Sequence, residues 1–520
     1  MKNLKIYTLL LVSAFVAFSC DEEDKLITDI LTENPLPGET DFAGDAGSLD
    51  LSVYVSLGAS ITGGTMDNAL YSHGQANSFP ALLARQFAAE GGGAFNQPDI
   101  NSVNGFSGVD GTTIGGKLIL DLDLNNDGVL GDAGIVTSEG EVPGAYTGDK
   151  ETLNNFGVPG IQTAQMLTPL TGGPDDVANP AYNALYARFA SEPGVSTILG
   201  DAVARNPTFF TLWPGGNDVL GYATGGGVNE AILTAPATVS GSIDALLAGL
   251  MAGGAKGVII NVPNLFVLPF FQAVQYNGLA LDEANATALN TGLAAYNGAV
   301  QGLVTAAMLT QEQADARKVS YGVGDNAFLI EDDNTADFPD LGPLWDNLVL
   351  GMAMTAEDRA ALEPYRMCRQ MAAGEFVTLS ASTVINTTPT GFPETALYGL
   401  SLPLPDKYTL TGDEVKKISD NLTEINTKIA TVAATTDGLA HFDALTVLQT
   451  IAVGGGYNTG SFTLLPDFSP NGIFSNDGVH PNSRGSAILA NEIIKVLETE
   501  FGATIEPLDV MQFNSSPFQQ

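Results

Sequence analysis

The run Leu51-Ser52-Val53-Tyr54-Val55-Ser56-Leu57-Gly58-Ala59-Ser60-Ile61-Thr62 sets the architecture of the chain. Residues 49–57 are rich in Leu, Val and Tyr and stop at Gly58, a pattern typical of a strand that leads into a tight turn. Residues 78–87 then have a helical pattern. The fold is therefore predicted to begin near Leu49 with a strand, a turn and a helix.

The same alternation of strand and helix continues along the chain. Further apolar runs bounded by turn residues predict buried parallel strands at residues 209–213, 257–262 and 439–442. Helical patterns lie between and after them at residues 239–251, 414–433 and 483–501. This order predicts an α/β protein, a three-layer α/β/α sandwich around a central parallel sheet.

The first residues predict export. Lys2 and Lys5 precede an apolar stretch over residues 6–18, too short to span a bilayer comfortably, as in a secretion signal. Residues 17–20, Ala-Phe-Ser-Cys, resemble a bacterial lipobox, and the acidic residues 21–24 resemble the export tag of Bacteroidetes-type lipoproteins. The resemblance implies a signal peptide at 1–20 and lipidation of Cys20. It implies a lipoprotein of the outer membrane, exposed at the cell surface and held there by its lipid. An ordinary signal cut by another peptidase is the alternative.

The remaining chain divides by composition. Residues 21–48 are acidic, contain Pro and Gly, and predict a tether. One domain is predicted at 49–505, followed by a C-terminal tail at 506–520. The stretch from about 266 to 405 is too long for one connection and has its own helical pattern at 282–308. It is predicted to be an insertion that covers one side of the sheet.

Composition excludes one class of partner. The 520 residues include 20 Lys and Arg against 59 Asp and Glu, a formal charge of −39. This charge repels phosphate backbones, so nucleic acid is not an expected partner. If Cys20 carries lipid, only Cys368 remains and no intrachain disulfide can form. Cys368 is predicted to be a buried structural thiol.

Residues that suit a serine hydrolase occur far apart in the chain. Only three histidines are present, and only His480 has a carboxylate beside it, Asp477. Such a pair can serve as general base for a serine. Ser60 lies in a glycine-rich turn that would expose its hydroxyl and its N–H, although similar turns also end strands for steric reasons alone. His73 and His441 are then bystanders: His73 lies on a polar loop, and His441 is predicted to be a satisfied core residue.

Two further segments offer donors for negative charge. Gly160 follows a short apolar segment, where its N–H could point at an oxyanion, or where it simply makes a Pro-Gly turn. Asn217 follows the strand predicted at 209–213, at the carboxyl end where open α/β sheets bind ligands. The alternative for Asn217 is an ordinary cap of the next helix.

Taken in this order, the segments resemble the GDSL or SGNH hydrolase family, in the form of a large surface lipoprotein. Ser60 matches the serine of block I, Gly160 the glycine of block II, Asn217 the asparagine of Gly-x-Asn-Asp, and Asp477 with His480 the Asp-x-x-His of block V. The resemblance implies a flavodoxin-like sandwich. It also implies a Ser60–His480–Asp477 triad, with an oxyanion hole of the Ser60 and Gly160 N–H groups and the Asn217 amide.

The chain departs from the family pattern in two places. Ala59 replaces the Asp common after the block I glycine, and Asn217 lies farther from Asp477 than in compact members. The resemblance implies a serine esterase or lipase that needs no cofactor and acts on an ester of a lipid or an acylated glycan. A carbohydrate O-deacetylase of the same chemistry and a non-catalytic glycan-binding lipoprotein are the alternatives. Residues 265–271, strongly apolar, would bind an acyl chain or pack the insertion against the sheet.

One segment of the sequence matches part of a calcium-binding pattern. Asp123, Asn125, Asp127 and Gly128 match the first, third, fifth and sixth positions of a calcium loop of the EF-hand type. Gly134 occupies the twelfth position, where Glu is needed. A plain hairpin turn after residues 118–124 is the competing interpretation. No cluster of Cys and His for zinc is present in the sequence.

Overall fold

The computed structural model of the protein describes residues 42–108, 115–121, 134–334 and 338–515. Its centre is a sheet of five parallel strands whose bounds are β1 (Tyr54–Gly58), β2 (Asn155–Gly157), β3 (Phe209–Trp213), β4 (Lys256–Ile260) and β5 (Leu439–Phe442). Their order across the sheet is β2-β1-β3-β4-β5. The predicted α/β class with a central parallel sheet is confirmed.

The register of the sheet brings three strand ends together. Gly58 pairs with Gly157 on one side and with Trp213 on the other. From β1 the chain goes outward to β2 in one direction, whereas β3, β4 and β5 extend in the other. The order therefore reverses between β1 and β3, and ligands of open α/β sheets bind at the carboxyl ends of the strands at such a point.

The first strand is shorter than predicted. Leu49 and Leu51 are buried, but β1 begins only at Tyr54. The N–H of Ser52 donates to the carboxylate of Asp50 at 3.0 Å, a local turn that takes these residues out of the strand. The strands at 209–213 and 439–442 agree with their predicted bounds, and the one predicted at 257–262 spans Lys256–Ile260.

The described helices around the sheet and the site include α1 (Ser60–Gly63), α2 (Phe79–Phe87), α3 (Asn217–Thr224), α4 (Pro236–Met251), α5 (Gly412–Thr435), α6 (Ala444–Val453) and α7 (Ser483–Phe501). The four helices predicted around this sheet are confirmed to within three residues at each end. Helix α7 packs on α2, and α5 packs on α4. A capping box between Thr411 and Glu414 begins α5, and the Asn482 side chain caps α7.

Helix α4 lies in an apolar segment. Among the described residues, the segment Glu230–Met251 is the one helical stretch long and apolar enough to cross a bilayer. Core helices of soluble proteins pass the same test. In α4 the residues Val239, Ile243, Leu246 and Leu250 are buried in the main core, which accounts for its apolar character.

Residues between Leu279 and Leu404 form a second hydrophobic core. The prediction of one continuous helix over 282–308 is wrong. Two helices, Glu283–Gly292 and Ala294–Thr305, occupy this stretch and meet at Leu293. Gly292, a weak helix former, precedes the break. The other described helices of this region are Gln311–Arg317, Leu341–Leu350 and Ala356–Ala361, and the short helix Pro269–Gln272 precedes it. Its short strands are Leu279–Leu281, Gly324–Asn326, Leu329–Glu331, Cys368–Gln370 and Phe376–Val377, and Phe376–Val377 pairs with Thr409–Leu410 beyond the region.

Cys368 is buried in this second core, as predicted, and burial raises the pKa of its thiol to about 12. Nearby, the buried Arg369 guanidinium pairs with Asp332 and Glu375. Glu375 also accepts the N–H of Gly412, the first residue of α5. This hydrogen bond ties the region to the main sheet's helices.

Smaller elements complete the described chain. The hairpin signal at 118–124 corresponds to antiparallel pairing of Leu118–Asp121 with Gly134–Thr137, and the residues that connect these strands lie outside the described residues. Strands Tyr457–Asn458 and Thr463–Leu464 form another hairpin. Short helices span Ser72–Ala76, Ala184–Ala187 and Ile198–Ala204.

Candidate active site

Ser60 lies directly after the carboxyl end of β1, as the first residue of α1. The turn needs glycine at position 58, because a Cβ there would lie 2.1 Å from Oγ1 of Thr62. Ser60 is 8% exposed, and no described residue hydrogen-bonds to its hydroxyl or to its N–H. Both groups are therefore available to a ligand.

Ser60 borders a pocket with about 590 Å³ of space free of protein atoms, which we call the Ser60 pocket. Asn217 and His480 border the same pocket. The structure thus brings together three of the predicted site residues from three separate parts of the chain. Apolar side chains from β3, from the loop after β4 and from Val479 form most of the remaining wall.

Asp477 holds His480 through local hydrogen bonds. Its Oδ2 is 2.8 Å from Nδ1 of His480, and its Oδ1 accepts the N–H groups of Val479 and His480, both at 2.8 Å. A carboxylate three residues before the histidine can close this turn without help from the rest of the fold. The arrangement fixes the imidazole and directs Nε2 away from Asp477.

A second turn, at Asp67 and Asn68, hydrogen-bonds to the loop that contains Asp477, although it lies in the N-terminal part of the domain. The N–H of Asn68 donates to Oδ2 of Asp477 at 2.6 Å. Asp67 accepts the N–H of Asn476 at 3.0 Å, and its own N–H donates to the hydroxyl of Ser475 at 2.9 Å. Both turn residues have positive φ, 52° and 60°, which Asp and Asn tolerate better than most residues. Sequence analysis missed this turn.

These contacts keep Asp477 ionised. Burial alone would raise the pKa of Asp477, but attraction to the His480 imidazole and the hydrogen bonds from His480 and Val479 lower it to about 2. Asp477 is therefore a carboxylate at every pH at which the protein would ordinarily be assayed.

Nε2 of His480 is buried, and among the described residues it has no hydrogen-bond partner. Ser60 and His480 border one pocket but are not hydrogen-bonded to each other in this structure. Hydrogen bonds between a nucleophile and its base are often long in free enzymes and shorten when substrate binds. A buried ring nitrogen without a partner, on a residue that shares a pocket with a serine of free hydroxyl, suits proton transfer once substrate is bound.

Asn217 is the first residue of α3, and Gly216 precedes it at the cap position. Its amide donates to the carbonyl of Ile161 at 2.9 Å and does not accept from the helix. The interpretation of Asn217 as an ordinary cap is therefore wrong. An amide carries two N–H donors, so one remains for a ligand in the Ser60 pocket.

A buried network behind Asn217 was not predicted. Oδ2 of the fully buried Asp218 accepts the N–H of Thr163 at 3.0 Å and its hydroxyl at 2.5 Å. That hydroxyl in turn accepts the N–H of Gly215 at 2.9 Å. The network joins the loop after β2 to the loop after β3, which sets where Asn217 lies. The only sign of this network in the sequence is Asp218, the residue after Asn217.

Gly160 lies in the loop after β2, next to these residues but not among those that line the Ser60 pocket. Its φ of +77° favours glycine, its position is exposed, and its N–H has no acceptor among the described residues. The adjacent Ile161 accepts the Asn217 amide. The role of Gly160 in an oxyanion hole thus stays a prediction.

Replacement of Asn217 tests its role as a donor. We expect Asn217→Ala to lower kcat for an ester by about 10²-fold, since one donor to a developing oxyanion contributes roughly 3 kcal/mol. KM should change little, because the bond strengthens in the transition state. Steady-state kinetics on p-nitrophenyl acetate measure both constants. Asn421→Ala is the control, because that amide lies outside the Ser60 pocket and donates to the carbonyl of Lys417 within α5. A purely raised KM in Asn217→Ala would contradict the assignment.

The apolar segment after β4, residues 265–271, packs against the insertion as one of its two predictions states, whereas binding of an acyl chain stays a prediction. Leu265 and Leu268 line the Ser60 pocket. Phe266 instead stacks on Phe376 of the second core region, with ring centroids 4.6 Å apart. The N–H of Phe270 donates to the carbonyl of Gly478, one residue after Asp477, at 3.0 Å. The segment therefore lines the pocket and joins it to the 279–404 region.

The other two histidines lie outside the Ser60 pocket. His73 is 3.3 Å from the Ser483 hydroxyl, and burial and Lys117 lower its pKa. His441 is half-buried on the edge strand β5, and its Nε2 is buried without a partner among the described residues. The prediction that His441 is a satisfied core residue is therefore wrong. Burial lowers its pKa, with Asp443 acting in the opposite direction.

A group of carboxylates offers oxygen ligands elsewhere. Oxygens of Asp333, Asp406 and Glu414 lie within 4.8 Å of one another. Burial and mutual repulsion raise the pKa of Asp406 to about 8 and that of Glu414 to about 7, so protons occupy part of this group at neutral pH. The calcium candidates Asp123, Asn125 and Asp127 lie outside the described residues, as does Cys20.

Comparisons with known proteins do not assign the site. No family model, no curated protein and no solved structure matches the chain. Membership of the GDSL or SGNH family therefore stays a prediction.

Proposed function

We propose that the protein is a serine esterase or lipase of the GDSL/SGNH type that hydrolyses carboxylic esters through an acyl-enzyme. The observation that carries the proposal is the setting of His480: its Nδ1 is 2.8 Å from Asp477, its buried Nε2 has no partner among the described residues, and the residue lines the same pocket as Ser60. A histidine held in this way is suited to take a proton and return it.

The reaction would proceed in two halves. Ser60 Oγ attacks the ester carbonyl while its proton passes to Nε2 of His480. Nε2 then protonates the leaving alcohol, which leaves an acyl group on Ser60. A water molecule, deprotonated by the same nitrogen, attacks the acyl carbonyl carbon. The bond from that carbon to Ser60 Oγ then breaks, Nε2 returns the proton to Oγ, and the acid is released. Asp477 stays ionised and stabilises the imidazolium in both halves.

Negative charge on the carbonyl oxygen needs donors that are already in place. Among the described residues, the N–H of Ser60 and the second N–H of the Asn217 amide have no acceptor, and both residues line the pocket. The N–H of Gly160 is a third donor in this proposal. Donors that the Asp218–Thr163 network already holds in place need no rearrangement when negative charge develops. This preorganisation is the main source of transition-state stabilisation in such sites.

The proposal includes the three-layer sandwich of that family. The strand order β2-β1-β3-β4-β5 and the packing of α7 on α2 and of α5 on α4 support it. It also includes export as an outer-membrane lipoprotein, anchored at Cys20 and facing the outside of the cell, with the membrane as partner through that lipid alone. The lipobox-like residues 17–20 and the acidic residues after them support this part.

The test is direct. Purified protein is expected to release p-nitrophenol from p-nitrophenyl acetate, and a fluorophosphonate probe is expected to modify Ser60, as shown by mass spectrometry of the peptide. Other exposed serines in the same digest serve as internal controls. A protein that is inert toward esters and unmodified at Ser60 would contradict the proposal and favour a non-catalytic glycan-binding lipoprotein.

A further inference from the structure

A second cavity adjoins the Ser60 pocket. Ile61, Trp213, Pro263, Leu268 and Val479 border both spaces, and the second has about 530 Å³ free of protein atoms. We call it the apolar cavity. Ile61 follows Ser60 and Val479 precedes His480, so the apolar cavity begins at the immediate neighbours of the two reacting residues.

Two helices form the far side of the apolar cavity. The positions that face it are Ala444, Val447, Leu448 and Ile451 on α6, with Ile488 and Leu489 on α7. Steps of three and four residues place such positions on one face of a helix. Protein interiors are normally close-packed, so facing apolar stripes usually meet without a gap. Here they border a space that is partly open to solvent and adjoins the pocket of the candidate nucleophile, so a ligand can reach it.

The side chains that line the apolar cavity indicate which kind of ligand it can bind. Of the described residues that line the apolar cavity, only Trp213 has a side-chain hydrogen-bonding group, and its indole N–H already donates to the carbonyl of Asn261 at 3.1 Å. A sugar placed there would lose its hydrogen bonds to water without replacement. A hydrocarbon chain would lose nothing and would gain from burial.

We propose that the apolar cavity binds the acyl chain of the substrate, so that the substrates are esters of fatty acids and not acetylated glycans. The inference rests on the proposed function, because it places the ester carbonyl at Ser60. The chain then passes between Ile61 and Val479 and ends between α6 and α7. These side chains determine specificity for chain length.

The first test is the chain-length profile of the wild-type protein. For p-nitrophenyl acetate, butyrate, hexanoate and octanoate, kcat/KM is expected to rise about fourfold for each methylene that becomes buried. A flat or falling series with clear turnover of acetate overturns the acyl-chain inference and leaves the esterase proposal standing. No turnover of any ester instead overturns the esterase proposal.

The second test fills the cavity. Val447 is only partly buried, so Val447→Trp can enter the apolar cavity from α6 without disturbing the sheet. The ratio of kcat/KM for octanoate to that for acetate is expected to fall at least about tenfold. Leu489→Trp, from α7, should act in the same way and serves as a second variant.

The matched control lies on the same helix. Leu445 borders a different, polar groove together with Asn261 and Asn264. Leu445→Trp adds the same bulk to α6 and should keep the wild-type octanoate-to-acetate ratio. If folded Val447→Trp and Leu489→Trp keep the wild-type ratio as well, the acyl chain does not occupy the apolar cavity.

Discussion

Ser60→Ala is expected to lower kcat/KM for p-nitrophenyl esters by about 10⁴-fold or more, to near the background rate. The hydroxyl is the only group that the proposed mechanism offers for attack on the carbonyl, so its removal should leave only the oxyanion donors and binding. Its loss should cost little stability, because no described residue hydrogen-bonds to it. Initial rates at saturating and limiting ester, together with thermal unfolding, measure both effects.

A matched serine controls for the substitution itself. Ser242 is also buried, on α4, and its hydroxyl donates to the carbonyl of Thr238 within the same helix. Ser242→Ala should keep activity within about twofold, since the helix satisfies that carbonyl without it. If Ser60→Ala retained wild-type turnover, the triad assignment would be wrong, whatever activity the protein has.

Asp477→Asn should reduce kcat almost as strongly, by about 10⁴-fold. Each carboxylate oxygen of Asp477 accepts two N–H groups: Oδ1 those of Val479 and His480, and Oδ2 those of Asn68 and the His480 ring. An amide has only one accepting oxygen, so its NH₂ must face two donors in either orientation. The imidazole then turns or changes tautomer, and Nε2 no longer serves as a base.

Asp477→Asn should also change how the free energy of unfolding depends on pH. Because the pKa of Asp477 falls from 3.8 to about 2 on folding, its ionised form contributes about 2 kcal/mol at neutral pH. That contribution is complete above pH 3.8 and is lost as the pH falls to about 2. The difference in unfolding free energy between wild type and Asp477→Asn should therefore shrink over this interval in denaturant titrations.

Asp282→Asn is the control for this pair of measurements. Asp282 caps the helix Glu283–Gly292 by accepting the N–H of Asn285, a role that Asn fills nearly as well. Activity and the acid dependence of stability should match those of the wild type. An Asp477→Asn variant with wild-type kcat would mean that His480 does not depend on Asp477 and that another base operates.

Much of the sheet could be predicted because its signals are local. Residues 209–213 and 439–442 are apolar runs between turn residues, and buried parallel strands have this pattern. The pairing of Asp477 with His480 is equally local, since three residues separate them and the hydrogen bonds close within one turn. Helix α6 was not predicted, although its apolar stripe has helical spacing.

What could not be predicted depends on contacts between distant residues. Nothing around Asp67 and Asn68 indicates that they hold the Asp477 loop, because that contact joins residues 409 apart and needs two consecutive residues at positive φ. The Thr163–Asp218 bond likewise joins two loops that only the sheet register brings together. The break at Leu293 followed from a single glycine in an otherwise helical pattern, too weak a signal to set a boundary.

The Asn68–Asp477 hydrogen bond also affects the stage of folding at which the candidate site is assembled. Closing a loop of 409 residues costs about 5 kcal/mol of chain entropy, which contacts elsewhere must first offset. During synthesis Ser60 emerges long before the residues that would activate it. If Ser60, His480 and Asp477 act as proposed, a chain whose two ends have not yet met lacks a working triad. The proposed esterase activity is then expected to appear only after Asn68 has met Asp477.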